Sequence, residues 1–158
     1  MRFFHIIATI LALFPFAAAA QNSNQPYYPV VILDRDAGIL GIEDQITPDL
    51  DRSFNRALAA VPNPRVLVLN SPGGRVAPAL EIAKKVRARG MNTRIRSGQE
   101  CFSACALIFF SGTTRDARGQ LGVHQISSPS GDLVTGQFAI ADIIETLDEF
   151  GVPSEVVT

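Results

Sequence analysis

Val66-Leu67-Val68-Leu69-Asn70-Ser71-Pro72-Gly73-Gly74 is the stretch on which the fold turns. Its unbroken apolar run predicts a strand buried on both faces, as in a parallel sheet covered by helices. Gly73 and Gly74 then allow backbone conformations closed to other residues and let another group approach the bare main chain. Val76, Leu80, Ala83 and Val86 follow at helical spacing and predict an amphipathic helix stopped by Gly90. Strand, glycine turn and helix in that order are one step of an α/β fold.

The same alternation extends to both sides. Upstream, Val30-Val31-Ile32-Leu33 and Ile39-Leu40-Gly41-Ile42 read as short strands joined by a turn at Asp34–Gly38. Thr47-Pro48 predicts a helix start, with Thr47 as N-cap and Pro48 in the first helical position. Leu50, Phe54 and Leu58 form its buried stripe with Ala57 and Val61, and Pro62 and Pro64 end it. Downstream, Asn92–Ile95 reads as a strand and Ser103–Phe110 as a buried helix closed by Ser111-Gly112. Leu121–Gln125 reads as a strand and Ser127–Gly131 as a polar loop. Ile140, Ile143, Ile144 and Leu147 mark a last amphipathic helix ending at Gly151. No repeat or interior linker interrupts the pattern, so residues 30–158 are expected to form one α/β domain with mostly parallel strands.

The chain opens differently. Met1-Arg2 are a short basic start, Ile6–Phe16 an apolar stretch, and Ala17–Ala20 a small-residue run before polar Gln21-Asn22. This is the layout of a secretory signal, with a cut expected after Ala20 and a flexible leader over residues 21–29. The stretch is short for a membrane anchor, and no later run approaches spanning length. A periplasmic or secreted address follows. Loss of Arg2 leaves 13 basic against 15 acidic side chains and moves the net charge from −1 to −2. That balance argues against a nucleic-acid partner. Lys84, Lys85, Arg87, Arg89, Arg94 and Arg96 do cluster; they fit a solvated helix face, or a weak site for an anionic partner.

Three places carry chemistry. The Ser71–Gly74 turn joins a buried strand to a helix start and offers backbone N–H donors of the kind an oxyanion needs. It also fits an ordinary strand-to-helix turn. Ser103 stands between the polar run Ser97–Glu100 and the apolar run Ala106–Phe110, at the first turn of a helix. There it is either a nucleophile or a helix N-cap. His124 is the one histidine beyond the signal segment, at a strand end, where α/β sites assemble. It is the candidate base.

Taken in order, these residues resemble the Clp peptidases of the ClpP/crotonase superfamily. In that family an Asn-Ser-Pro-Gly-Gly turn supplies an oxyanion donor, a serine at a helix start is the nucleophile, and a histidine before Gln-Pro is the base. Asn70–Gly74, Ser103 and His124-Gln125 match these at nearly the family's spacing, and the resemblance covers about Gly38 to Leu147. It implies a ClpP/crotonase-like spiral of β-β-α units with a mostly parallel sheet. It also implies a serine peptidase with Ser103 as nucleophile, His124 as base, and Gly73, Gly74 and Ala104 as the backbone oxyanion hole. A peptide or protein substrate and a homo-oligomer are further implications. The Cys-x-Ser-x-Cys form of residues 101–105, with Arg115 after the helix, resembles secreted relatives of the superfamily.

Two departures accompany the match. The family's third triad member is an acid beyond a long helix, where this chain stops at Thr158. Asp132 and Asp142 are weak candidates for it, and a dyad, a C-terminally truncated chain or an inactive site are the other readings. Cys101 and Cys105 are the second departure. As the only cysteines of an exported chain they are candidates for a disulfide across the loop-to-helix junction, against two buried free thiols or Cys105 as a nucleophile. An inactive ClpP-fold binding or assembly module is the alternative to a hydrolase. An acyl-CoA enzyme fits an exported address poorly. Beyond the signal segment, one histidine and two cysteines are too few for a metal cluster, and no cofactor motif is present.

Overall fold

Val30–Asp34 (β1) and Ile39–Glu43 (β2) pair antiparallel around the Asp34–Gly38 turn, with a register shift between Ile32 and Asp34. The structure is a computed structural model that describes residues 26–123 and 133–153. Pro29, Val30 and Val31 are buried and Tyr27 packs against the core, so residues 26–29, read from sequence as leader, are drawn into the fold.

From β2 onward the sheet is parallel. Val66–Asn70 (β3) lies beside β2 with Leu40 opposite Leu67 and Ile42 opposite Leu69. Asn92–Ile95 (β4) follows, then Arg115–Ala117 (β6), giving the order β1-β2-β3-β4-β6. Leu67, Val68 and Leu69 are all buried, as the apolar run of β3 requires of a strand covered on both faces. A second, two-stranded parallel sheet joins Glu100–Phe102 (β5) to Gln120–Gly122 (β7).

The helices supply the cover. Leu50–Ala60 (α1) buries Leu50, Phe54, Ala57 and Leu58, the stripe read from sequence. Its start differs from expectation. The N-cap is Asp49, not Thr47, because Ile46 is held by the turn at Gly73 and the Thr47 carbonyl closes a turn on the Leu50 N–H. Val76–Ala88 (α2) packs on α1, and Arg89-Gly90 turns the chain with Gly90 at φ 61°. Ala104–Phe110 (α3) is buried at every residue and packs on α2. Leu133–Glu149 (α4) lies against α2 and α3. Its expected stripe splits: Ile143 and Leu147 are buried, whereas Ile140 and Ile144 are each 45% exposed.

Two strands were not expected. β5 and β6 have three residues each, too few to show a period-two pattern. β7 begins one residue ahead of the expected Leu121, and Gln125 and the Ser127–Gly131 loop lie outside the described residues. Most of the buried apolar side chains form one cluster running from Val30 to Val152, with Val31 and Val68 outside it. No helix among the described residues is long and apolar enough to cross a membrane.

Candidate active site

The turn after β3 is stitched to its neighbours on both sides. On one side the Asp44 N–H donates to the Asn70 carbonyl (3.1 Å), Ile46 N–H to the Gly73 carbonyl (2.8 Å) and Arg75 N–H to the Ile46 carbonyl (2.9 Å). On the other, Ser71 N–H donates to the Glu100 carbonyl (2.8 Å) and Phe102 N–H to the Ser71 carbonyl (3.0 Å). The Asn70 Oδ1 accepts from the Glu100 N–H at 3.3 Å. Ser103 N–H then donates to the Gly122 carbonyl at 2.9 Å. Four segments therefore lie side by side: Asp44–Ile46, Asn70–Arg75, Glu100–Ser103 and Gln120–Gly122. These bonds carry the glycine turn to the serine.

Gly73 makes the contact. Its φ is 96°, and a Cβ built there would lie 2.8 Å from the Ser103 Cβ, 2.5 Å from the Phe102 carbonyl oxygen and 3.2 Å from the Ala104 nitrogen. Only glycine permits this approach and this backbone conformation together. Gly74, at φ 143°, leaves no room for a side chain beside the Ile46 carbonyl. The Gly73 N–H donates to the Ser71 Oγ at 3.1 Å, and Ser71 is fully buried. Sequence reading did not single out that hydroxyl. The Ala104 N–H opens α3 and so belongs to the donors that a helix start leaves without an intrahelical partner.

Ser103 departs from an ordinary helix cap. It sits at φ 56°, ψ −126°, and its side chain makes no capping hydrogen bond. A capping serine holds an extended φ and spends its hydroxyl on the helix. Here the chain makes a sharp strand-to-helix turn, a conformation that costs a non-glycine residue energy. The residue is half-buried. This is the backbone arrangement by which a strained elbow presents a nucleophilic serine.

The cysteines bracket it. Cys101 and Cys105 have their sulfurs at disulfide distance, with Cα atoms 5.2 Å apart. Both are fully buried. The pair spans the junction between β5 and α3, and its geometry is that of the disulfide reading.

The base and acid candidates are placed less fully. His124 and Asp132 lie outside the described residues. Val123, directly before His124, is 43% exposed and follows the Gly122 whose carbonyl holds Ser103. Asp142 is exposed on α4 and makes no hydrogen bond or salt bridge with the described residues. Arg115 points elsewhere. Its Nε donates to the Gly112 carbonyl (3.2 Å) and its Nη2 to the Phe150 carbonyl (2.8 Å). Burial, and then the neighbouring Arg87 charge, hold its pKa below the usual guanidinium value. Among the described residues no group of three or more His, Cys, Asp or Glu side chains is placed to hold a metal ion.

Similarity to solved structures decides the architecture. A ClpP1 mutant from Listeria monocytogenes superposes with a TM-score of 0.60 over 76% of this chain and 76% of that one, at 17% identity. The ClpP protease catalytic domain from Plasmodium falciparum gives a TM-score of 0.55 over 73% of this chain and 67% of that one, at 18% identity. The chain has a ClpP-like fold. No family model matches it, and no curated protein does. Within the ClpP-like frame, the glycine turn lies at the C-terminal end of β3, the edge at which open α/β sheets bind their ligands.

Proposed function

We propose that this protein is an exported serine hydrolase acting on peptide or protein substrates. The Ser103 Oγ attacks the acyl carbon and His124 takes its proton. The oxyanion of the tetrahedral intermediate is received by the Ala104 N–H and by an N–H of the Gly73-Gly74 turn. The observation that carries this reading is the conformation of Ser103: φ 56°, hydroxyl uncommitted to the helix, with Gly73 in contact behind it. His124 follows two peptide links after Gly122, whose carbonyl already accepts from the Ser103 N–H. Asp132 and Asp142 remain the candidates for an acid that orients the imidazole; a dyad works without one, at a cost in rate. Export is supported by the signal layout of residues 1–20 and by the cysteine pair, since disulfides persist in oxidising compartments.

A second reading, a ClpP-fold module for binding or assembly without catalysis, is favoured by one observation. The Gly73 N–H is engaged by Ser71 Oγ, which leaves one oxyanion donor fewer in this conformation. A fluorophosphonate probe separates the two. Hydrolase chemistry requires one covalent adduct per chain, mapped to Ser103 and absent from Ser103→Ala. In His124→Ala the labelling rate should fall by about 10²–10⁴-fold, the usual contribution of a general base. Folded protein that takes up no probe supports the binding module.

A further inference from the structure

We infer that the Cys101–Cys105 bridge licenses the nucleophile: the site reacts in the disulfide form and falls silent as the dithiol. This rests on the reading of Ser103 as the nucleophile. The bridge joins the residues two before and two after Ser103, and so closes a small ring around it. One end is anchored in β5, where Cys101 lies opposite Leu121 and bridges to Ser71. The other end is the second residue of the wholly buried α3. Hydrogen bonds fix the backbone before and after the serine, through Phe102 N–H to the Ser71 carbonyl and Ala106 N–H to the Ser103 carbonyl (2.9 Å). The bridge adds a covalent tie between the two sides across the φ and ψ of Ser103, beside the Gly73 backbone packed on Phe102 and Ala104 and the Ser103 N–H bond to the Gly122 carbonyl.

Those angles need holding. A non-glycine residue at positive φ persists only where its surroundings over-determine it. Serine also has a relaxed alternative at this position. With an extended φ it becomes an N-cap, its Oγ accepting from a backbone N–H in the first turn of α3. The elbow leaves the hydroxyl free to attack; the cap spends it. The segment therefore has two discrete arrangements, and the bridge favours the reactive one. Because the ring is short, closing it constrains the unfolded chain far less than a long-range bridge would, so the effect is local to the serine.

The chemistry balances with a small dithiol as reductant. Its thiolate attacks one sulfur, the Cys101–Cys105 bond breaks, and the second thiol resolves the mixed disulfide. Two electrons and two protons pass to the protein sulfurs, leaving two thiols and a cyclic disulfide. A disulfide-bearing oxidant reverses the step. Both cysteines are fully buried, so either exchange needs local opening of the β5–α3 junction. The switch is set at folding in an oxidising compartment and changes slowly afterwards. A chain folded under reducing conditions is held inactive.

The test compares the full chain, purified oxidised, with the same protein reduced by dithiothreitol and then re-oxidised. Fluorophosphonate labelling rates are read by intact mass, with circular dichroism and melting temperature in parallel. The reduced protein should stay folded, melt only a few degrees lower and label at least about tenfold more slowly. Re-oxidation should restore the rate, which a role in bulk packing does not predict. The double variant Cys101→Ala/Cys105→Ala should label slowly whatever the redox conditions. Equal rates in the reduced and oxidised forms overturn the inference. So does global unfolding on reduction, because the bridge would then sustain the fold instead of the elbow. Failure of the oxidised wild type to label removes the hydrolase reading itself, and shows in the first arm before any reductant is added.

Discussion

Ser103 and Asp44 are the non-glycine residues at positive φ among those described, at 56° and 143°. Both border the glycine turn, so the strained non-glycine backbone of the described residues gathers beside the candidate site. The tightest test of that geometry is Gly73→Ala. The methyl group would press on the Ser103 Cβ and the Phe102 carbonyl, at a φ of 96° that alanine resists. The expected loss of stability is about 2–3 kcal/mol, read by chemical denaturation, together with loss of probe labelling. An unchanged midpoint would mean that the turn and the serine are not in contact. The glycines and the serine were legible in the sequence because their types and order are unusual. The Ser71 hydroxyl was not, since nothing in a linear pattern shows that it folds back on the Gly73 N–H.

Asp44 offers a second residue-scale test. The Tyr28 hydroxyl donates to its carboxylate at 2.5 Å. That bond, and then the Gln45 N–H, hold the Asp44 carboxyl below its ordinary 3.8. The same bond, followed by burial and the nearby charges of Asp44 and Glu43, raises the Tyr28 phenol above its ordinary 10.0. A depressed acid contributes stability that is present above its unfolded pKa and lost as pH falls through its folded one. A raised phenol contributes stability that is present below its unfolded pKa and lost as pH rises through its folded one. Wild type should therefore exceed Tyr28→Phe in stability at neutral pH. The difference should fade below about pH 3.8 and again above about pH 10. It should be about 0.5 kcal/mol or less, because both groups face solvent. Melting curves across pH check it, and a pH-independent difference would contradict the pairing.

Among the elements, α4 is held at its end by side chains from elsewhere in the chain. Arg87 and Arg115 both donate to the Phe150 carbonyl just beyond its end, at 3.3 and 2.8 Å. The Arg87 guanidinium also lies 5.5 Å from the centre of the Phe150 ring. Two cations at a helix C-terminus satisfy carbonyls that the helix leaves unpaired and oppose its negative end. Arg115→Ala should weaken the docking of α4 by about 1–2 kcal/mol, through loss of the charged hydrogen bond to the Phe150 carbonyl. Hydrogen exchange should speed up in α4 and leave β2 and β3 unchanged. Uniform acceleration through the sheet would show that Arg115 supports the whole fold. The amphipathic pattern of α4 was readable from Ile143 and Leu147, but the clamp joins residues far apart in sequence. β5 and β6 escaped notice for another reason: Glu100 and Arg115 are exposed ends of three-residue strands, held in place by neighbours and not by their own pattern.

At the scale of the molecule, the parallel sheet gathers turn, serine and β7 at one edge, and the bond from Ser103 N–H to the Gly122 carbonyl locks that edge together. The ClpP-like fold was legible because a buried strand, a glycine turn and a helix succeed one another in the order that such a sheet demands. Catalysis is the claim that depends on all of these parts at once. Fluorophosphonate labelling of the oxidised full chain, with the adduct located by peptide mapping, tests it most directly. The account predicts a single adduct on Ser103, lost in Ser103→Ala and slowed about 10²–10⁴-fold in His124→Ala. A folded chain with its disulfide intact that forms no adduct, or forms one at another residue, would contradict it.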